Sequence, residues 1–183
     1  MILAITGNIG SGKTTAARFF AQRGFQIIEA DKIGHELYHR NDIKERVIKR
    51  FGKTILTRGN VDRKKLKKIV FYDPNELKAL NRIMHPAILK EVKKRIQKAN
   101  VVIEGALLIE AGFKGYDKLL VITIDRKEQM KRVLKRGKYK RKEVETILRG
   151  QMPQEEKMKH ADIIIDNSGS RKELLNNLRK VLP

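Results

Sequence analysis

The chain has 183 residues, with 42 Lys and Arg against 21 Asp and Glu, giving a formal charge of +21 and a pI near 10.3. It contains no cysteine, which excludes disulfides, zinc–thiolate sites, iron–sulfur clusters and cysteine nucleophiles. No apolar run approaches the ~20 residues needed to span a bilayer, so the expectation is a soluble cytoplasmic protein, a single domain over 1–183 with a lobe inserted, whose surface attracts polyanions.

Residues 2–5 read as a short buried strand and run into GNIGSGKT at 7–14, which satisfies Gly-x-x-x-x-Gly-Lys-[Ser/Thr] at every fixed position. Helical character begins near Lys13 and continues over 15–23, so strand, glycine loop and helix follow in order. Such a loop turns its backbone N–H groups toward phosphate oxygens, and the helix start adds the positive end of its dipole. Asn8, Gly10, Ser11, Gly12, Lys13, Thr14 and Thr15 are therefore the expected phosphate-binding residues. Lys13 is expected to reach the β- and γ-phosphates, and the Thr14 hydroxyl to serve Mg²⁺, a hard cation that prefers oxygen ligands.

Four more apolar runs, at 25–28, 101–103, 119–124 and 162–165, read as strands too continuous in Ile, Val and Leu to have a wet face. With helical patterns between them, they predict an α/β fold: a doubly wound, five-stranded parallel sheet with ligands at the carboxyl ends of its strands. Glu29, Asp31, Glu104, Asp125, Asp166 and Asn167 fall just past those ends, where helix caps and turn formers also occur. Residues 32–100 read as a helical, strandless lobe broken at Gly52, Gly59, Asp73-Pro74 and His85-Pro86, suited to a second substrate. Residues 126–150 read as a lid, a basic helical pair interrupted at Arg136-Gly137. Ser170 and Glu173 have capping-box spacing at the start of a final helix.

Two other signals compete. His35-Glu36-Leu37-Tyr38-His39 fits His-Glu-x-x-His, a zinc-binding helix pattern, but it lacks the continuation that supplies a third ligand in one large protease class. The basic composition suggests nucleic acid, yet the charge is diffuse and aromatic residues are too few for a stacking platform, which disfavours that partner.

Taken as an ordered set, several blocks resemble the dephospho-coenzyme A kinase family, a P-loop kinase family, over nearly the whole chain. They are the glycine loop, Glu29-Ala30-Asp31 with His35, Gly59 with Arg63 and Leu66, and Leu80-Asn81 with His85-Pro86. Leu107-Leu108-Ile109-Glu110, Gln151-Met152-Pro153 and Asp166-Asn167-Ser168-Gly169 complete the set. The sequence departs from the family pattern at Glu29, Ala106 and Gly137, where aspartate, proline and aspartate are usual. The resemblance implies a helical acceptor lobe, a helical lid, Mg²⁺, and transfer of the ATP γ-phosphoryl to the 3′-hydroxyl of dephospho-coenzyme A. It implies Asp31 as the base, Lys13 and Arg136 as charge-stabilising catalytic groups, and Arg63 and His85 as acceptor-binding residues. Asn167 and Gly169 would line the adenine pocket or form a turn. Glu29 would orient groups or act in the outer sphere of the metal. A kinase for another small acceptor, such as a nucleoside monophosphate, and a nucleic-acid-binding P-loop protein are the alternatives.

Overall fold

In the computed structural model, which describes residues 1–181, the chain divides into two compact units: Met1–Glu29 with the segment from Ile96 onward, and Ala30–Arg95. The first unit contains β1 (Ile2–Thr6), α1 (Lys13–Ala21), β2 (Gln26–Glu29), β5 (Val101–Glu104) and β6 (Lys118–Thr123). It continues through α6 (Arg126–Lys135), α7 (Arg141–Arg149), α8 (Gln154–Met158), β7 (Ile163–Asp166) and α9 (Arg171–Arg179).

Its five strands form one parallel sheet in the order β2-β5-β1-β6-β7. Leu3, Ile5, Val102, Leu120 and Ile122 point to the side where Ala16, Phe20, Leu174 and Leu178 of α1 and α9 complete a core. Ala4, Val101, Ile103, Leu119 and Val121 alternate with them and are also fully buried. Burial on both sides is why these strands read as continuous apolar runs. The parallel register sets Glu104 beside both Ile5 and Glu29 at the carboxyl edge of the sheet. The capping box of α9 forms: Ser170 Oγ accepts from Glu173 N–H at 3.2 Å, and Glu173 accepts from Ser170 N–H at 2.8 Å.

The second unit contains α2 (Ala30–Leu37), α3 (Asn41–Phe51), a 3₁₀ turn (Lys53–Ile55), β3 (Leu56–Thr57), β4 (Asn60–Val61), α4 (Arg63–Val70) and α5 (Pro74–Arg95). α5 is its centre, packing on α2, α3 and α4 through Leu80, Met84 and Val92. At Gly34 of α2 a Cβ would lie 3.2 Å from Ile88 of α5, so close helix approach uses the missing side chain.

Two expectations for this stretch are corrected. It is not strandless, because β3 and β4 pair as an antiparallel hairpin; two-residue strands are too short to carry an alternating signal. His85-Pro86 is not a break, because Pro86 lies inside α5. One missing backbone donor is offset there by the helix's packing on three neighbours. By contrast, Asp73 does start α5, with its carboxylate accepting from Asn75 N–H at 2.8 Å and Pro74 at the first helical position.

The hairpin turns through Arg58 and Gly59, both left-handed at φ 49° and 76°. A two-residue turn of this kind favours Asn-Gly, and a left-handed conformation costs most residues about 1–2 kcal/mol. Arg58→Asn is therefore expected to raise stability by up to about 1 kcal/mol, read as a higher midpoint in urea unfolding at unchanged slope.

Candidate functional site

The loop between β1 and α1 is shaped by its own short hydrogen bonds. Ser11 N–H donates to Asn8 O at 3.1 Å, Thr15 N–H to Gly12 O at 3.0 Å, and the Lys13 ammonium to Asn8 O at 3.2 Å. Asn8, Gly10, Ser11 and Lys13 are buried, Gly12 and Thr15 are half-buried, and Thr14 is exposed. Gly12 adopts φ 103°, and a Cβ there would come within 2.3 Å of Asn167 Nδ2. Asn8 Oδ1 and Ser11 Oγ are buried and have no hydrogen-bond partner among the described residues. Orphaned buried polar atoms carry a free-energy cost that a polar ligand can relieve.

Asn167 supports the glycine loop directly. Its amide is buried and donates to Ser11 O at 2.7 Å, so it fixes the glycine loop from the far side of the sheet edge. The turn that carries it is itself braced. Ser168 Oγ donates to Asp166 Oδ1 at 2.6 Å and accepts from Asp125 N–H at 2.7 Å. Asp125 caps α6 by accepting from Lys127 and Glu128 N–H, and these two bonds hold its carboxyl below the usual carboxylate range. Gly169 offers its carbonyl to Arg132 at 2.8 Å, and Arg132 also pairs with Glu128 at 2.9 Å. Arg132 thus ties α6 to the turn before α9. It carries no distinguishing signal in the sequence, because Lys and Arg recur throughout this stretch.

Glu104 is the other residue without an assigned role in the sequence. It is buried at the end of β5 and accepts from the Thr14 hydroxyl at 3.0 Å. With its proton committed to Glu104, Thr14 keeps its oxygen lone pairs free to face solvent. A hydroxyl backed by a carboxylate is an oxygen-donor set suited to Mg²⁺, which completes its sphere with phosphate oxygens and water. Glu29, next to Glu104 across the strands, is exposed. Arg136 is exposed at the C-cap of α6.

The remaining expected site residues belong to the second unit. Asp31 is exposed in the first turn of α2, one turn before His35. Arg63, at the start of α4, lies 2.7 Å from His35 Nε2. A guanidinium can only donate, so Nε2 accepts and the ring is neutral. Contact with protein atoms and then the Arg63 charge lower the His35 pKa, with Asp31 opposing them. His85 is half-buried within α5. Burial raises the pKa of Tyr38. In the His-Glu-x-x-His segment, Glu36 pairs with Arg95 at 2.7 Å, which lowers its pKa, while His35 faces Arg63. The base position and one of the two histidines of that pattern are thus each engaged with an arginine.

Gly12→Ala is expected to push Asn167 off Ser11 and distort the loop, abolishing measurable nucleotide binding in calorimetry while circular dichroism stays native. For His35 the lowered folded pKa sets the sign. The unfolded chain takes the proton first, so this contribution is intact above about pH 6.5 and declines as pH falls from there toward the lowered value. Urea midpoints measured across that interval are expected to fall more steeply for the wild type than for His35→Gln.

Comparison with known proteins agrees with this arrangement. The profile of the dephospho-CoA kinase family matches residues 1–173. The dephospho-CoA kinase of Aquifex aeolicus is 41% identical over 186 residues, covering 98% of this chain and 94% of its own. Among solved structures, one from Thermus thermophilus superposes with TM-score 0.80 at 35% identity, covering 98% of this chain and 94% of its own. The dephospho-CoA kinase from Campylobacter jejuni gives 0.67 at 30% identity with the same coverage. The sheet is the doubly wound parallel sheet of the P-loop kinases, and the chain belongs to the dephospho-CoA kinase family.

Proposed function

We propose that this chain uses ATP to phosphorylate the ribose 3′-hydroxyl of dephospho-CoA, producing CoA and ADP. The observation that carries the donor half is the Thr14–Glu104 hydrogen bond beside Lys13, at the head of a helix whose preceding loop presents backbone N–H groups. The acceptor half rests on membership of the family and on the match of Asp31, Arg63 and His85 to its blocks.

In this reading Lys13 and the loop amides neutralise and orient the β- and γ-phosphates, which is most of what catalysis of phosphoryl transfer requires. Thr14, backed by Glu104, would hold Mg²⁺, which would supply positive charge to the phosphates. Asp31 accepts the proton of the 3′-hydroxyl as that oxygen bonds to the γ-phosphorus, and the β–γ bridging oxygen leaves with ADP. Arg136 adds positive charge at the transferring group, and residues 126–150 act as the lid that carries it. Arg132, held by Gly169, offers a flat cation to the adenine ring. Residues 32–100 serve as the acceptor lobe, in which Arg63 and His85 take the acceptor's phosphate and ribose. The basic composition then serves capture of two polyanionic small molecules.

Incubation with Mg-ATP and dephospho-CoA, beside AMP and shikimate as decoy acceptors, is expected to yield ADP with dephospho-CoA alone. Turnover of a decoy at a comparable rate would overturn the substrate assignment. Asp31→Asn is expected to lose about 10²–10⁴-fold in kcat, the usual contribution of a positioned base, with ATP affinity retained. Near wild-type turnover in that variant would remove Asp31 from the role.

A further inference from the structure

The tip of the glycine loop is held from outside, at one residue, by two glutamines of opposite polarity. Ile9 N–H donates to Gln151 Oε1 at 3.0 Å, and Gln129 Nε2 donates to Ile9 O at 2.8 Å. The glutamines come from opposite ends of the lid segment, Gln129 within α6 and Gln151 just after α7. The Ile9 side chain meanwhile packs with Met130, Val133, Leu134, Val144 and Leu148, the apolar seam between α6 and α7. Next to it, a Cβ on Gly10 would come within 2.6 Å of Val133. Backbone and side chain of one loop residue are thus built into the helical pair.

Both clamps are themselves fixed. Gln129 is buried, and its Oε1 accepts from Arg126 at 3.1 Å, which sets which end of its amide faces Ile9. On the other side, Met152 N–H donates to Glu110 Oε1 at 2.8 Å, and the fully buried Lys157 ammonium holds Glu110 at 2.7 and 2.9 Å and Ala106 O at 2.8 Å. Asn8 Nδ2 reaches Met152 O at 3.4 Å. A buried lysine therefore anchors the segment that grips the loop.

We propose that Gln129 and Gln151 are positioning residues that hold the two peptides flanking Ile9, and with them the phosphate-binding amides of the loop, in the orientation that receives the donor nucleotide. A loop that presents its own N–H groups to an anion has few internal bonds to hold it. Gln151 on the Asn8–Ile9 peptide and Gln129 on the Ile9–Gly10 peptide each keep their peptide from flipping and putting a carbonyl where an N–H is needed. The clamp lies at the base of α6 and α7, so it also ties the lid helices to the loop, leaving the Arg136-Gly137 connection as the part able to move. This inference rests on ATP being the donor.

The opposite polarities provide the test. Glutamate at 151 can still accept from Ile9 N–H, whereas glutamate at 129 sets a carboxylate against Ile9 O. Gln151→Glu is expected to keep the ATP Kd within about threefold of wild type, and Gln129→Glu to weaken it at least about tenfold, as does Gln151→Leu, which strands a donor; tenfold corresponds to about 1.4 kcal/mol. KM for dephospho-CoA is expected to stay unchanged in all three variants. ATP binding is measured by calorimetry without acceptor, so failure of the acceptor assignment leaves this result readable. Urea midpoints are recorded alongside, because a structural role alone would move stability and both KM values together. Equal ATP affinity in Gln129→Glu and Gln151→Glu, or no loss in Gln151→Leu, would overturn the proposal.

Discussion

A loop whose backbone N–H groups must remain available to an anion cannot use those same groups to hold its own shape, and much of the first unit answers that constraint. Its carbonyls take most of the support: Asn8 O takes Ser11 N–H and the Lys13 ammonium, Ser11 O takes Asn167, and Ile9 O takes Gln129, while Ile9 N–H is committed to Gln151. Asn167 and Gln129 come from different parts of the unit, and each has a brace of its own. The Asn167 turn is tied through Ser168 to Asp125 at the head of α6, and Gln129 is oriented by Arg126 on that same helix. Loop, lid helices and the turn before α9 therefore form one hydrogen-bonded body, and a change in any of them is felt at the phosphate cradle.

Charge is distributed in keeping with this arrangement. The exposed ion pairs, such as Arg40–Asp42 and Lys159–Glu156, are the surface kind that contributes little to stability. Lys157–Glu110 is different, because the lysine is fully buried and all its bonds go to protein. Removing one member of such a pair leaves a charge without its counterion in a low-dielectric interior, which costs about 3–5 kcal/mol. The excess of Lys and Arg elsewhere generates a long-range attraction for phosphorylated substrates, effective within about 8 Å at physiological ionic strength.

The sheet and the glycine loop were legible because their signals are local and repeated. An apolar run bounded by Gly or a strand-end acid needs only a few consecutive residues to be recognised, and the five strands lie where such runs lie. The hairpin at Leu56 and Val61 has too few residues to show a period, and the passage of α5 through Pro86 depends on packing that no local rule contains. The same holds for the supporting shell of the site. Gln129 and Gln151 contact Ile9 across 120 and 142 residues of chain, and neither has a spacing relation to the loop that could mark it. The Asn167 turn is legible as a polar strand end, but the bond from its amide to Ser11 O spans 156 residues of chain. Arg132 was hidden by the basic residues around it.

Glu104 shows how such a hidden residue follows from the sheet itself. Parallel register brings Glu29 and Glu104 side by side on strands about 4.8 Å apart. Glu29 is exposed and retains its hydration, while buried Glu104 has the Thr14 hydroxyl for a donor. A cation held at Thr14 would therefore lie beside an acidic side chain. The strand register is what puts that acidic side chain beside the glycine loop.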